Sequence, residues 1–290
     1  MPPSKTTPIP PSLPLTLIVA TTPIRVASST THAQNETNTR LGIGLNGTLP
    51  WPRIKADMSF FARVTSRPPV KGTTNAIIMG RKTYDSVPKH LRPLGKRISV
   101  VITRDQTGSV REGVLQELEA RKAKMAATAK AKAEAASESA TTTTTTTTAS
   151  ELEPEAEPAT DAIVTPSLDD ALEQLDSTYG AKGKLGKVFV IGGAEIYGAS
   201  LRGDSVGLKN RPIRIVMTNV VRKPVGEDGK VVEEPFECDT FFPEDQFTVE
   251  KGWRSASSDE VTEWVGEEVS GEWTREGEVE VQMVGFEKLK

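Results

Sequence analysis

The chain has 290 residues, with 36 basic and 39 acidic side chains and a formal net charge of −3, a balance without the concentrated basic excess of a nucleic-acid-binding surface. A single cysteine, Cys238, excludes an intramolecular disulfide framework and a thiolate metal cluster, and it suits a reducing compartment such as the cytoplasm. Two histidines, His32 and His90, leave little material for a metal site or a histidine triad, and no segment approaches the roughly 20 apolar residues of a membrane helix. The apolar share of 36% is low beside the about 45–50% (glycine counted) of compact domains.

That deficit is local. Residues 1–13 are rich in proline, serine and threonine and predict a disordered tail. The apolar run from Pro14 to Ala20 lacks the basic leader of a signal peptide; its Leu15–Ala20 part reads as a buried strand. A polar loop is expected at about 24–40, and Asn46-Gly47 is a turn dipeptide. Pro50 and Pro52 stiffen the chain around Trp51. From Lys55 to Val64, Met58, Phe61 and Val64 recur at helical spacing, which predicts an amphipathic helix with those residues inward. Strands are predicted at 75–79 and 97–102, with a short helix at 82–86 between them. The order strand–turn–helix, without hairpin signals, predicts a sheet with crossover helices. Residues 106–163 differ: their apolar face is nearly all alanine, and Thr141 to Thr148 form an unbroken run. Such a segment buries too little to offset ordering, so an extruded insertion, partly helical at most, is expected. Ser167 to Asp170 is a near capping box opening a helix to about Leu175. Strands are then predicted at 187–191 and 213–217, a helix at 194–201, a rigid turn at 239–243 and a closing strand at 278–286, with 253–263 leading to its partner. Residues 14–290 thus read as one interrupted domain.

Four constellations can carry chemistry. Gly80-Arg81-Lys82-Thr83 follows a strand, so a close backbone approach, free N–H groups and positive charge together suit a phosphate or pyrophosphate; the alternative is an ordinary turn with solvated basic residues. Ile191-Gly192-Gly193-Ala194-Glu195 allows close contact with an anion or planar ring, or is a plain tight turn, since it is not GxGxxG. Thr103 and Arg104, at a strand end, suit a phosphate monoester, which is what separates NADP from NAD. Asp57, in the first turn of the helix and beside Leu49 and Trp51, can take an N–H/NH₂ edge through two oxygens; the alternative is a solvated carboxylate favoured by the helix dipole. No partner histidine or second carboxylate is evident for hydrolase chemistry. His90 reads as a surface residue and Cys238 as a structural thiol.

Leu41 to Trp51 (LGIGLNGTLPW), Asp57, Ile77 to Tyr84 (IIMGRKTY) and Phe189 to Tyr197 (FVIGGAEIY) together resemble dihydrofolate reductase in its eukaryotic, fungal form. Asp239 to Pro243 and Gly285 to Lys288 fit the same family. The resemblance covers residues 15–20, 41–105 and 164–290 and leaves the two insertions unexplained. It implies an α/β domain, dihydrofolate reductase-like, around a central eight-stranded mostly parallel sheet with flanking helices and one antiparallel edge strand. It also implies a cytoplasmic monomer that takes NADPH and dihydrofolate, is inhibited by antifolates, and has no metal, nucleic-acid or membrane partner.

Residue by residue, the resemblance gives Asp57 the pterin N3 and 2-amino group, with Thr218 hydrogen-bonded to its carboxylate and Trp51 and Leu49 framing the pterin and a water. Ile18, Val19 and Ala20 would border pterin and nicotinamide. Met58, Phe61, Val87, Leu94 and Ile191 would line the substrate pocket, and Arg97 would pair with the glutamate α-carboxylate. Ile43 would cover the nicotinamide side. Gly80, Arg81, Lys82 and Thr83 would meet the pyrophosphate, Thr103 and Arg104 the 2′-phosphate, and Ile191, Gly192, Gly193, Ala194, Glu195, Ile196 and Tyr197 the rest of the cofactor. Met58 stands where many vertebrate members have phenylalanine, which bears on antifolate fit. Two rivals remain at this point: a same-fold reductase of another pterin or pyrimidine intermediate, and a non-catalytic nucleotide-binding or interaction protein. Arg97 with Asp57 discriminates, because together they ask for an aminopyrimidine edge at one end of the ligand and a carboxylate at the other.

Overall fold

The computed structural model describes residues 13–26, 38–139, 157–202, 205–224 and 232–289. The predicted tail (except Leu13), the middle of the polar loop and the threonine run lie outside them. Strands β1 (Leu15–Val26), β2 (Asn38–Gly44), β3 (Thr74–Gly80), β4 (Ile98–Ile102), β5 (Asp161–Thr165), β6 (Leu185–Gly192), β7 (Ile213–Arg222), β8 (Thr240–Phe241), β9 (Trp253–Ala256), β10 (Thr274–Glu276) and β11 (Val279–Lys288) alternate with six α-helices. These are α1 (Lys55–Ser66), α2 (Arg81–Ser86), α3 (Ser109–Ser139), α4 (Leu168–Leu175), α5 (Ala194–Arg202) and α6 (Ser258–Val265).

The main sheet runs β10-β11-β7-β1-β6-β3-β4-β5. From β7 to β5 every neighbouring pair is parallel, and β11 and β10 add antiparallel pairs at one edge. The eight-stranded, mostly parallel sheet is therefore present: along it only β11 runs against the others, and β10 and β9 each pair antiparallel with β11. One row of registered residues crosses it: Ile163, Val100, Ile78, Val190, Leu17, Ile215 and Phe286. That row joins the core against α4 and α5, while Ile77, Met79, Val101, Phe189 and Val216 pack on the other face against α1, α3 and α6. Burial on both faces explains the short, uninterrupted apolar runs.

Several expectations need correction. The strand predicted to end at Ala20 continues to Val26 and turns back as β2, with Thr22 opposite Gly42 and Val26 opposite Asn38, so both ends of the 24–40 loop are hairpin. Hairpins therefore do occur; the outer residues of these strands are polar, while Leu41 and Ile43 pack on the core and Thr21 and Thr22 are buried. The Asp239–Pro243 turn contains β8, which pairs with β2. A side chain on Gly42 would collide with Cys238, which favours glycine at 42 in this small sheet. The insertion boundaries at 106–163 were too wide. Helix α3 has 31 residues, about 46 Å, and Val114 and Leu118 in its first turns are buried in the core. Ordered strand resumes at Asp161. Of the residues expected inward on α1, Val64 is buried, Phe61 only partly buried and Met58 exposed, and Phe60 enters the core instead. The capping serine at Ser167 is observed, accepting from the Asp170 N–H at 3.1 Å.

Asn75, fully buried at the start of β3, binds the end of α1 to the sheet. Its amide donates to the carbonyls of Thr65 (3.2 Å) and Arg67 (3.0 Å), and its oxygen accepts from the Lys187 N–H of β6 at 2.8 Å. Stranding buried groups costs about 1–3 kcal/mol each. Asn75→Ala is expected to cost about 3 kcal/mol, measured by urea unfolding as a lower midpoint at unchanged slope.

Candidate active site

Parallel strands share a carboxyl-terminal end, and the predicted residues gather there. In register, Gly80 lies opposite Ile102, Met79 opposite Gly192, and Ala20 opposite Thr218. The β1–β6 ladder stops at Leu17 opposite Val190, although both strands run on. Where neighbouring strands part at that end, an open α/β sheet forms its ligand crevice. Just beyond the last pair, the Ile18 carbonyl accepts from the Tyr197 hydroxyl at 2.7 Å. Tyr197 is buried, and that burial pushes its phenol well above the ordinary range. Its hydroxyl joins α5 to β1 and also lies 3.7 Å from where a Cβ on Gly192 would stand, which puts Tyr197 beside the glycine turn.

The two glycine motifs meet. A Cβ on Gly192 would lie 3.3 Å from the Thr83 hydroxyl, one on Gly193 3.4 Å from the same oxygen, and one on Gly80 3.4 Å from Ile196. Gly192 has φ 128°, a left-handed conformation that L side chains rarely adopt. The Gly192–Gly193 peptide is cis. Helix α2 starts at Arg81 without a side-chain cap, and α5 starts at Ala194, so bare backbone, a hydroxyl and two helix starts border one small space. Arg81 and Lys82 are exposed at its rim. Farther out, Arg104 pairs with Glu195 at 3.0 Å, both largely solvent-exposed, while the Thr103 hydroxyl accepts from the Asp105 N–H at 3.2 Å. This array fits a phosphorylated dinucleotide: the glycines add no side chain of their own beside Thr83 and Ile196, and the basic groups stand outside them.

Asp57 lies in the first turn of α1, where the Thr218 hydroxyl of β7 donates to its Oδ1 at 2.8 Å. Burial raises the Asp57 pKa, the Thr218 bond opposes that rise, and the nearby Glu276 carboxylate adds to it. Glu276, missed from the sequence, also caps α1: it accepts from the N–H groups of Lys55 (2.7 Å) and Ala56 (3.0 Å), 221 and 220 residues away. Ile54, at the cap position itself, offers no side-chain acceptor, and no local signal points to a partner so distant. Trp51 is 5% exposed, sits with Ile54 and Val220, and meets Phe236 edge-on at 6.0 Å.

Around this centre Leu49 and Met58 are exposed, whereas Ile18, Ala20, Ile43, Phe61, Val87, Leu94 and Ile191 are partly exposed. Val19 departs from expectation. Its side chain belongs to the core, which leaves the backbone for any ligand. Arg97 is buried, donating from Nη1 to the Thr65 hydroxyl at 2.6 Å and from Nε to the Gly95 carbonyl at 2.9 Å. Burial, reinforced by Arg121, lowers its pKa to about 10.

The raised Asp57 pKa fixes a sign. Below the unfolded-state value of about 3.9 both states are protonated and nothing is lost; as pH rises through the folded-state value, the native protein must hold a buried charge and stability falls. Asp57→Asn, which can still accept from Thr218, is expected to raise the midpoint of thermal unfolding near pH 7, with the gain shrinking toward about pH 4. An equal gain at both pH values would contradict a burial penalty on the charged form.

Comparison with known proteins agrees with this geometry. The family model described as "Dihydrofolate reductase" matches residues 31–138. The dihydrofolate reductase of Gallus gallus is 30% identical over 206 residues, covering 70% of this chain and 72% of that protein. That of Pneumocystis carinii is 29% identical over 238 residues, covering 80% and 83%. The solved Schistosoma mansoni dihydrofolate reductase shares the fold, with a TM-score of 0.51 at 20% identity over 95% of this chain and 98% of its own. A sheet that parts at its carboxyl end, with a partly buried carboxylate and a paired-glycine turn, is thus combined with identity spread over most of two relatives, and the chain belongs to the dihydrofolate reductase family.

Proposed function

We propose that the chain reduces 7,8-dihydrofolate to tetrahydrofolate with NADPH, and that Asp57 is its one catalytic carboxylate. The observation that carries this reading is the partly buried Asp57–Thr218 pair, placed at the sheet level where β1 and β6 part. A carboxylate held by one hydroxyl keeps acceptor capacity for the N3 and 2-amino edge of a pterin. Thr218 fixes its orientation, and burial with Glu276 makes it a better proton holder than a solvated aspartate. Asp57 anchors and polarises the ring, and a water beside Leu49 and Trp51 delivers the proton to N5. When bound, NADPH supplies the hydride that reaches C6. Gly80, Thr83, Gly192 and Gly193 would hold its pyrophosphate against bare backbone, and Thr103 and Arg104 its 2′-phosphate. Ile18, Met58, Phe61, Val87, Leu94 and Ile191 would bind the substrate rings, and Arg97 the α-carboxylate of its glutamate. Antifolates would occupy the same pocket, with the exposed Met58 at its edge.

The reading extends to a cytoplasmic monomer of fungal type. The relative from Pneumocystis carinii supports that type by the length it shares, and among the described residues no helix is long and apolar enough to cross a membrane. The whole of 14–290 would be one domain, since β7, β10 and β11 complete the sheet begun by β1.

NADPH oxidation followed with and without dihydrofolate tests the activity; substrate-dependent oxidation is expected. Asp57→Asn should keep NADPH affinity and lower turnover at neutral pH at least about a hundredfold, the scale of proton-transfer catalysis; near-normal turnover would remove Asp57 from its role. For the cofactor, Arg104→Gln is expected to raise KM for NADPH roughly tenfold and leave KM for NADH unchanged, because only a 2′-phosphate uses the guanidinium. An equal effect on both would place the 2′-phosphate elsewhere.

A further inference from the structure

Helix α3 brings a second guanidinium to Arg97. Val114, Leu118 and Arg121 recur along one face of α3, and the first two are buried in the core. Arg121 therefore occupies an inward position in a helix otherwise rich in alanine and lysine. Both arginines converge on Gly95. The Arg97 Nε donates to the Gly95 carbonyl at 2.9 Å, and the Arg121 Nη2 lies 2.8 Å from where a Cβ on Gly95 would stand. The Arg121 guanidinium thus occupies the space that a side chain at 95 would enter.

Neither cation has a carboxylate partner among the described residues. Arg121 donates from Nη1 to the His90 carbonyl at 3.4 Å, and its Nε is buried without a partner. The adjacent carboxylate, Glu117, is engaged elsewhere: it accepts from the Tyr84 hydroxyl at 2.8 Å and faces Arg92 at 3.9 Å. Burial first, and then repulsion from Arg121, weaken the hold of Arg97 on its proton. Two guanidiniums in partly buried surroundings, each a planar fork of donors with bonds unmade, are suited to carboxylate oxygens.

We propose that Arg121 joins Arg97 in a two-guanidinium subsite that takes the second carboxylate of the substrate's terminal glutamate, making the enzyme selective for a ligand that is dianionic at that end. The proposal rests on the reading that Arg97 receives the α-carboxylate, and it assigns the γ-carboxylate to Arg121. Helix α3 then acts as a specificity wall, supplied by a segment whose composition concealed it.

The test compares dihydrofolate with its γ-amide, which keeps the pterin, the benzoyl ring and the α-carboxylate but loses the second charge. Arg121→Gln can still donate to the His90 carbonyl. It is expected to raise KM for dihydrofolate roughly tenfold, as loss of a charge-assisted bond does, and KM for the γ-amide less than about twofold, with the effect on KM rather than kcat. Arg121→Lys should recover part of the loss. If Arg121→Gln raises both KM values equally, or neither, the proposal is overturned; an equal rise with a lowered unfolding midpoint would show that Arg121 only docks α3. Arg97→Lys tests the underlying reading separately. It should raise KM for both ligands, and if it raises neither, the α-carboxylate assignment fails.

Discussion

The structure depends on one constraint: its central strands, β7 through β5, all point the same way. Parallel neighbours cannot be joined by tight turns, so each connection must cross a face of the sheet. That requirement puts α4 and α5 on one side and α1, α2 and α3 on the other. It also gives all six strands a common carboxyl-terminal end, where segments far apart in sequence become neighbours. Ala20, Gly80, Gly192 and Thr218 share that level because register, rather than proximity along the chain, places them there. Parting β1 from β6 then opens the only kind of gap such a sheet can offer without stranding many backbone groups, and Tyr197 closes the first exposed carbonyl.

Asp57 shows how local disadvantage is tolerated at such a gap. Its carboxylate is partly buried, receives one hydroxyl and feels a second carboxylate nearby. A sequence selected for stability alone would place a neutral side chain there. The surrounding packing is extensive enough to hold it: Trp51, Ile54, Val220, Val279 and Val281 form a small apolar cluster nearby, and Asn75 secures the far end of α1.

Much of this was legible in residue order. Strands β3, β4 and β6 announce themselves as apolar runs because both faces are covered, and the Ser167 cap and the Asn46-Gly47 turn are local chemistry. The hidden features share a cause, namely partners that are distant or not apolar. The hairpin of β1 and β2 is polar along its outer length, so periodicity does not mark it. Helix α3 hides Val114 and Leu118 ahead of a long alanine-rich stretch, and averaging over that composition conceals its anchored start. Helix α1 carries phenylalanines at 60 and 61, and spacing alone cannot say which enters the core; Phe60 does. The cap on α1 had no sequence signal at all, because Glu276 belongs to the other end of the chain.

That last contact bears on how the protein comes into being. The strand that holds Thr218 takes its antiparallel partner β11 from the final residues, and the start of α1 takes its acceptor from Glu276. During synthesis from the amino terminus, helix α1 and strands β1, β3 and β4 emerge long before either partner exists. A nascent chain can thus collapse around its central strands while the acidic centre is still unfinished. Competence arrives late and together with the closing hairpin, so an incomplete polypeptide carries most of the fold but not the assembled site.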